Sequence, residues 1–192
     1  MNDAPEFYAK TRAEWRQWLK SNHVKEQSVW LIFDKGKDRT LEYEEIVLEA
    51  LCFGWVDSIG RSVDDKRTKL YISRRKTKSV WAKTNKARIE RLAAEGLMTD
   101  AGWAVVKVAK ENGMWEALDK SDNLEKPQEL ETALKSNPKA NEFYEAMPAP
   151  SKRIILEWIY AAKTDKTREQ RINQTVTLAE KHIKAYPNSP KE

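Results

Sequence analysis

The residues best suited to chemistry lie in one short basic segment near the middle of the chain. Five cationic side chains occur there within ten positions, interleaved with hydroxyl groups and one tryptophan. The candidate binding residues are Arg74, Arg75, Lys76, Lys78, Trp81, Lys83 and Asn85. Cations beside hydroxyl donors suit phosphate, and an aromatic ring suits a stacked base. The segment therefore predicts an anion-binding surface, and a solvated loop whose charges only favour solubility is the simpler alternative.

The positive charge of the chain is concentrated around this segment. The formal net charge at pH 7 is +5. Positions 61–91 hold twelve lysines and arginines against three acids, so the rest of the chain is net negative. A positive field concentrated in this way attracts anions, which favours nucleic acid or a phosphorylated small molecule as the partner.

Two further candidates lie where a helix is predicted to end beside a sheet. Trp55 and Asp57 follow a helical pattern that stops at Gly54, and helix exits are common places for ligand contacts. Asp57 is placed to orient the guanidinium of Arg74 or Arg75 within a binding site. The alternatives are a purely structural ion pair for Asp57 and a core position for Trp55.

A second, smaller basic cluster surrounds a predicted helix start in the carboxy-terminal part. Lys163, Arg168 and Arg171 lie close to Thr167, which is predicted to cap the helix in a capping box. Because the amino terminus of a helix itself favours anions, cations placed at that end indicate a secondary anion site. Compensation by neighbouring acids is the alternative interpretation.

The sequence offers little to an enzyme mechanism. Cys52 is the only cysteine, and its apolar neighbours predict a buried, unreactive thiol. His23 and His182 are the only histidines, and no phosphate-binding glycine loop or nucleophile motif occurs. We therefore predict no catalytic residue, no metal site and no cofactor. Without a signal peptide or a long apolar run, the expected location is cytoplasmic, with no membrane insertion.

Local patterns place these residues on an α+β framework. A capping box at Thr11 and Glu14 predicts a helix that ends near Asn22. The elements predicted next are a buried strand at 28–33, a helix from Tyr43 that stops at Gly54, and a hairpin around the polar turn 64–68. The second arm of this hairpin leads directly into the basic segment.

Helices are predicted for the rest of the chain. Thr84 or Asn85 is expected to cap the helix after the basic segment, and Thr99 the next one. The predicted fold is a small antiparallel sheet flanked by helices, followed by an all-helical carboxy-terminal unit. The predicted divisions are an amino-terminal domain at 1–116, a polar linker at 117–129, a helical unit at 130–186 and a disordered tail at 187–192.

Several longer motifs resemble the YdeI/OmpD-associated family, also described as bacteriocin-protection proteins. The motifs are ALCFGWVDS at 50–58, SRRKTKSVWAKTN at 73–85, GLM at 96–98, RIILEWI at 153–159 and AKTDKTREQRI at 162–172. They extend over nearly the whole chain, and one of them departs from the family pattern only by Val56 in place of isoleucine. The resemblance implies a bacterial stress or bacteriocin-protection role. It supplies no catalytic residues, because the family name reflects genetic association.

The function that the sequence favours is non-enzymatic binding of an anionic partner through 74–83. A small-molecule enzyme with its pocket between the sheet and the Trp55–Asp57 loop is the second possibility. A protein–protein adaptor is the third, and an exposed apolar patch on the last helices would indicate it. Convergence of Trp55, Asp57, Arg74, Arg75 and Trp81 on one cavity would distinguish a built site from a solvated loop.

Overall fold

The fold combines a sheet-containing part with a helical part. A computed structural model describes residues 3–37 and 39–186, and the chain divides into two compact units. Unit 1 is Met1–Glu116 and unit 2 is Ala117–Glu192. Unit 1 holds a four-stranded sheet with helices, and the described part of unit 2 is helical, so the predicted α+β class is confirmed. No helix among the described residues is both long and apolar enough to cross a membrane.

The sheet of unit 1 has the strand order β1-β2-β4-β3. Its strands are β1 (Glu6–Tyr8), β2 (Ser28–Asp34), β3 (Trp55–Ser62) and β4 (Arg67–Arg74). The strands β2, β4 and β3 pair antiparallel, whereas the short β1 pairs parallel to β2 at the edge. The sequence pattern does not predict β1, because three residues are too few to show the alternation typical of a strand.

The segment predicted as a helix-exit loop is part of the sheet. Helix α2 (Tyr43–Cys52) ends as predicted, and Gly54 follows in the left-handed region with φ +73°. Strand pairing then begins at once, with Trp55 opposite Arg74. Because glycine adopts a positive φ without steric cost, the chain reverses within two residues. The loop prediction for Trp55–Asp57 is therefore wrong, and both residues lie on β3.

Two of the three side-chain caps predicted for the helices of unit 1 are found. The other helices of unit 1 are α1 (Arg12–Asn22), α3 (Lys83–Ala94) and α4 (Asp100–Glu111). The capping box of Thr11 and Glu14 starts α1, and the Thr99 side chain caps α4, both as predicted. Helix α3 has Ala82 as its N-cap and lacks a side-chain cap. The predicted caps Thr84 and Asn85 lie inside α3, so that prediction is wrong.

The core of unit 1 forms between the sheet and its helices, and α4 approaches the end of α2 closely. Trp15 of α1, Leu31 of β2 and Ile46 of α2 are fully buried in one cluster. A Cβ atom on Gly102 of α4 would lie 2.4 Å from the carbonyl oxygen of Cys52, so only glycine allows this approach. This contact fixes α4 beside the end of the sheet where the basic segment begins.

Unit 2 has its own helices and its own core. Its helices are α5 (Asp119–Asp122), α6 (Gln128–Lys135), α7 (Pro138–Ala146), α8 (Ala149–Tyr160) and α9 (Asp165–Glu180). Leu130, Tyr144 and Ile155 are among the residues buried in a cluster separate from that of unit 1. The stretch 117–129, predicted as a polar linker, contains α5 and the start of α6. The predicted tail at 187–192 lies outside the described residues.

The last helix starts three residues earlier than predicted. Thr164 is the N-cap of α9, and its hydroxyl accepts a hydrogen bond from the Thr167 amide at 3.1 Å. The hydroxyls of the two threonines lie 2.9 Å apart. Because both threonines stand before polar helical residues, the sequence allows either start, and the choice of Thr167 as the cap is wrong.

Candidate anion-binding cavity

The two consecutive arginines of the basic segment, Arg74 and Arg75, make different contacts. Arg74 closes β4, and its guanidinium donates to the backbone carbonyls of Val24 and Glu26, the latter at 2.8 Å. Arg75 follows directly, and its amide donates to the carbonyl of Gly54 at 3.0 Å. Side chains alternate between the faces of an extended chain, so neighbours in sequence diverge. Arg74 therefore fixes the turn after α1, and Arg75 is left for another role.

The side chain of Arg75 lies on the indole ring of Trp81. Its guanidinium carbon is 3.8 Å from the centre of that ring, and one terminal nitrogen, Nη2, donates to the Val80 carbonyl at 2.6 Å. Trp81 is only 1% exposed, and its ring contacts that of Trp115, with 4.9 Å between centres. The tryptophan is thus a wall of the core that supports the arginine, and no open stacking surface is left for a base.

The guanidinium of Arg75 is incompletely paired. Its Nε and Nη1 are buried without a hydrogen-bond partner. Burial lowers the pKa of Arg75 to about 10, and the charge of Asp57 offsets only part of this effect. Buried N–H groups without acceptors each cost about 1–3 kcal/mol, and more when the group is charged. The arrangement is therefore unfavourable on its own and would become favourable with an anionic acceptor.

A small cavity lies against Arg75 and Trp81. It has a volume of about 160 Å³, and Ala104, Val105 and Val108 of α4 form much of its wall. Lys76 and Thr77 also line it, and both are exposed. The site thus combines one half-buried cation, an aromatic ring and an aliphatic wall in a space open to solvent.

The other cations of the basic segment lie outside this cavity. Lys78 is exposed in the same loop, and Lys83 is exposed in the first turn of α3. Asn85 accepts a hydrogen bond from Arg88 at 2.8 Å, and Arg88 also forms a two-point contact with Glu44. The predicted set therefore divides, with Arg75, Lys76 and Trp81 at the cavity and the remaining members on other surfaces.

Asp57 and Trp55 have structural partners instead of ligand-facing positions. The Asp57 carboxylate accepts a hydrogen bond from the Tyr43 hydroxyl at 2.6 Å, and among the described contacts it forms no ion pair with Arg74 or Arg75. Burial and this hydrogen bond raise the pKa of Tyr43 to about 12. Trp55 is 1% exposed and meets Trp18 edge to face. The core alternative for Trp55 therefore matches the structure.

The secondary basic cluster in unit 2 is surrounded by acids. Arg168 lies 3.9 Å from Glu129 and 4.0 Å from Asp165, and Arg171 donates to the Trp158 carbonyl. Lys163 is exposed. A cavity of about 360 Å³ beside Arg168 is lined by Glu129, Asp165 and Glu169. This arrangement favours compensation by neighbouring acids over a secondary anion site.

Cys52 is buried, as predicted. It is fully excluded from solvent, and burial together with the nearby charge of Glu49 raises the pKa of its thiol. Glu49 is itself buried and is held by Arg12 at 2.6 Å and Arg16 at 2.5 Å. This ion cluster joins α1 to α2.

Sequence reasoning missed the contribution of α4 to the site. Val105 and Val108 share a helical stripe that predicts core positions, yet Val108 is 37% exposed and lines the cavity beside Ala104. The signal present in the sequence was the width of the apolar surface of α4, which also leaves Trp103 43% exposed. When the apolar face of a helix is wider than the stripe that packs on the core, the remaining apolar side chains indicate a second contact surface.

The fold and the cavity define unit 1 as an α+β domain with a small amphipathic pocket at the end of its sheet. Residues 7–105, more than half of the chain, match the model of a domain of unknown function, DUF8412, and the chain belongs to that family. Residues 123–182 match the model described as bacteriocin-protection, YdeI or OmpD-associated. The suspected resemblance is thereby confirmed for the carboxy-terminal part. The amino-terminal motifs quoted for it lie in the range of the other model.

Searches of curated proteins and of solved structures returned no match.

Proposed function

We propose that unit 1 is a binding module for a small anion, with Arg75 as its anchor. The observation that carries this proposal is the pair of buried guanidinium nitrogens, Nε and Nη1, that lack an acceptor beside a cavity. Hydrogen bonds to ionised groups are about twice as strong as neutral ones, so a carboxylate or phosphate oxygen would give these donors their best partner.

No carboxylate among the described residues forms an ion pair with Arg75, and the nearby charge of Asp57 offsets only part of its desolvation. Asp57 is engaged by Tyr43, and the other lining residues are Lys76, Thr77, Trp81 and apolar side chains of α4. The cavity lining among the described residues therefore holds a net positive charge. A ligand that brings negative charge would offset the desolvation of the guanidinium, which is the cause of its lowered pKa.

A small anion fits this site better than nucleic acid does. Single-stranded nucleic acids are held by exposed aromatic rings and a track of cations. Trp81 is buried, and Arg74 is engaged by two backbone carbonyls, so neither supports such a track. The lining residues also include no carboxylate, imidazole or thiol among those described, which supports binding in preference to proton transfer.

The proposed biological setting follows from unit 2. That unit carries the match to the bacteriocin-protection, YdeI or OmpD-associated model. We place the anion-binding module of unit 1 in the same protective role, as the part of the chain that senses or holds a small molecule.

The test is a titration of the full chain with inorganic phosphate, acetate and benzoate, followed by calorimetry and thermal unfolding. We expect at least one of these anions to bind and to raise the melting temperature. Arg75→Met keeps a long side chain over Trp81 and should abolish both effects. Lys78→Ala, which removes an exposed charge from the same loop, is the matched control and should bind as the parent does.

Two results would overturn the proposal. One is the absence of binding by all three anions at millimolar concentration, and the other is equal binding by the parent and Arg75→Met. A short single-stranded oligonucleotide serves as a further probe. If it binds with a steep salt dependence that Lys78→Ala and Arg75→Met reduce equally, the segment is a general polyanion surface instead.

A further inference from the structure

The wall of the cavity opposite the charge is aliphatic. Ala104, Val105 and Val108 present methyl groups from successive turns of α4, and the ring of Trp81 lies beside the guanidinium. Val105 also contacts the turn at Gly54, where a Cβ atom would lie 2.6 Å from its Cγ2 atom, so this wall is held in place by close packing. The other end of a ligand bound to Arg75 would therefore contact an apolar surface.

The volume limits the size of that ligand. The cavity measures about 160 Å³. An apolar cavity of about 150 Å³ in another protein accepts benzene, whereas sites for drug-sized molecules occupy roughly 300–1,000 Å³. A single small ring or a branched chain of four to six carbons is therefore about the largest body that fits within the cavity, and a nucleoside would extend beyond its open side.

The polar groups limit the charge. Among the described lining residues, Arg75 is the one half-buried cation, because Lys76 is exposed, and two nitrogens of its guanidinium are buried without a partner. A carboxylate carries one negative charge and needs few donors, whereas a phosphate dianion carries more charge and three acceptor oxygens. Enclosing a dianion beside an aliphatic wall would leave much of its charge unpaired.

We infer that the ligand is a small monocarboxylate with an apolar body, such as an aromatic or branched aliphatic acid. This inference rests on the proposed function and adds the class of ligand to it. The carboxylate is bound by the guanidinium of Arg75, and the body packs against the methyl groups of Ala104, Val105 and Val108. Specificity then comes from α4, and the charge of the ligand is selected by the basic segment.

The experiment compares benzoate, isovalerate, acetate, inorganic phosphate and adenosine monophosphate by calorimetry on the full chain. Each buried methylene group is worth about fourfold in affinity. We therefore expect benzoate and isovalerate to bind at least tenfold more tightly than acetate, and phosphate and the nucleotide to bind more weakly than benzoate.

Two variants of α4 test the apolar wall directly. Val108→Thr keeps the shape and replaces a methyl by a hydroxyl, and it should weaken benzoate about fourfold while acetate is unchanged. Ala104→Leu fills the cavity from an exposed position, and it should abolish benzoate binding and leave acetate. Val24→Thr makes the same chemical change at an exposed position outside the cavity, and it should alter neither affinity.

The outcomes separate this inference from the proposed function. If phosphate or the nucleotide binds through Arg75 as tightly as benzoate does, the monocarboxylate inference is wrong and anion binding stands. The same conclusion follows if Val108→Thr and Ala104→Leu leave benzoate binding unchanged. If no anion binds, both are wrong.

Discussion

Each of the two units contains an arginine stacked on a tryptophan, and the two pairs differ in a way that separates a site from a scaffold. In unit 1 the guanidinium carbon of Arg75 lies 3.8 Å from the centre of the Trp81 ring, and two of its nitrogens lack partners. In unit 2 Arg171 lies 5.2 Å from the centre of the Trp158 ring and donates to the carbonyl of the same tryptophan. Trp81 is buried, whereas Trp158 is half-buried.

The comparison shows that a stacked arginine is not itself evidence of a binding site. Arg171 joins α9 to α8 through its hydrogen bond to the Trp158 carbonyl, and none of its nitrogens is buried without a partner. Arg75 has the closer stack but lacks acceptors for two buried donors beside a cavity. The two arginines differ in whether buried N–H groups are left without an acceptor. Four pairs of variants test this difference between the two units.

The largest expected difference in stability comes from replacing the two tryptophans, Trp81 and Trp158, by alanine. Trp81→Ala should destabilise unit 1 by about 3–5 kcal/mol, because it empties a fully buried aromatic site. Trp158→Ala should cost unit 2 about 1–2 kcal/mol, since part of that ring is already in water. Hydrogen exchange read by mass spectrometry measures each unit separately in the full chain. Equal losses in the two variants would contradict the assignment of Trp81 to the core and Trp158 to a surface contact.

The next variant shifts the cavity wall and leaves both arginine–tryptophan pairs unchanged in sequence. Gly102→Ala places a Cβ atom 2.4 Å from the Cys52 carbonyl oxygen, so α4 must shift, at a cost of about 1–3 kcal/mol to unit 1. Anion binding should weaken in the same variant. Gly60→Ala is the matched control, because its nearest neighbour would be 4.0 Å away. Denaturant unfolding that shows no difference between the two variants would refute the close approach.

Replacing the two arginines by methionine should change the free energy of unfolding in opposite directions. Arg75→Met removes a poorly paired buried charge and keeps an apolar stem on Trp81, so we expect a gain of about 1 kcal/mol without ligand. Arg171→Met loses a satisfied hydrogen bond and should cost about 1 kcal/mol. Thermal unfolding in an anion-free buffer measures both. A loss in Arg75→Met would mean that the hydrogen bond to Val80 and the stack on Trp81 outweigh the cost of the two unpaired nitrogens.

The smallest effect concerns two tyrosines. Tyr43→Phe loses the hydrogen bond to Asp57 and should cost about 0.5–1 kcal/mol, whereas Tyr144→Phe should cost nothing, because burial leaves that hydroxyl without a partner. The pKa of Tyr43 is raised to about 12 in the folded protein, so the unfolded chain ionises first. The stability contributed by Tyr43 is therefore complete below pH 10 and lost as the pH rises through 12.

The measurement is chemical denaturation of the parent and Tyr43→Phe from pH 8 to pH 11.5. The gap between the two free energies of unfolding should be constant up to pH 10 and then narrow. A gap that widens above pH 10 would mean that Tyr43 ionises more readily in the folded state, which the contact with Asp57 forbids.

Local signals predicted the framework of unit 1 better than they predicted the site. The capping box at Thr11, the strand at 28–33 and the stop at Gly54 depend on residues within a few positions of each other, and all three are found. The cap of α9 was misassigned because Thr164 and Thr167 offer the same chemistry three residues apart. Such choices are decided by packing of the whole helix.

The site depends on contacts between distant parts of the chain. The burial of Trp81 follows from Trp115, and the cavity wall comes from α4, neither of which the basic segment itself encodes. The divergence of Arg74 and Arg75 was in principle predictable from strand alternation, but only once the end of β4 was known. Charge density identified the region, and only the tertiary structure identified which cation lies at the cavity.

The junction between α2 and α4 gives the cavity a mechanical property. The carbonyl of Cys52, at the end of α2, accepts hydrogen bonds from the amide and the hydroxyl of Thr99 at 3.2 and 2.6 Å, and Thr99 is also the residue that caps α4. One residue therefore closes the end of one helix and the start of the next. Neither end is able to fray alone, because opening either one removes partners from the other. The two helix ends should open and close as one cooperative unit, so the wall of the cavity is as rigid as the core helix behind it.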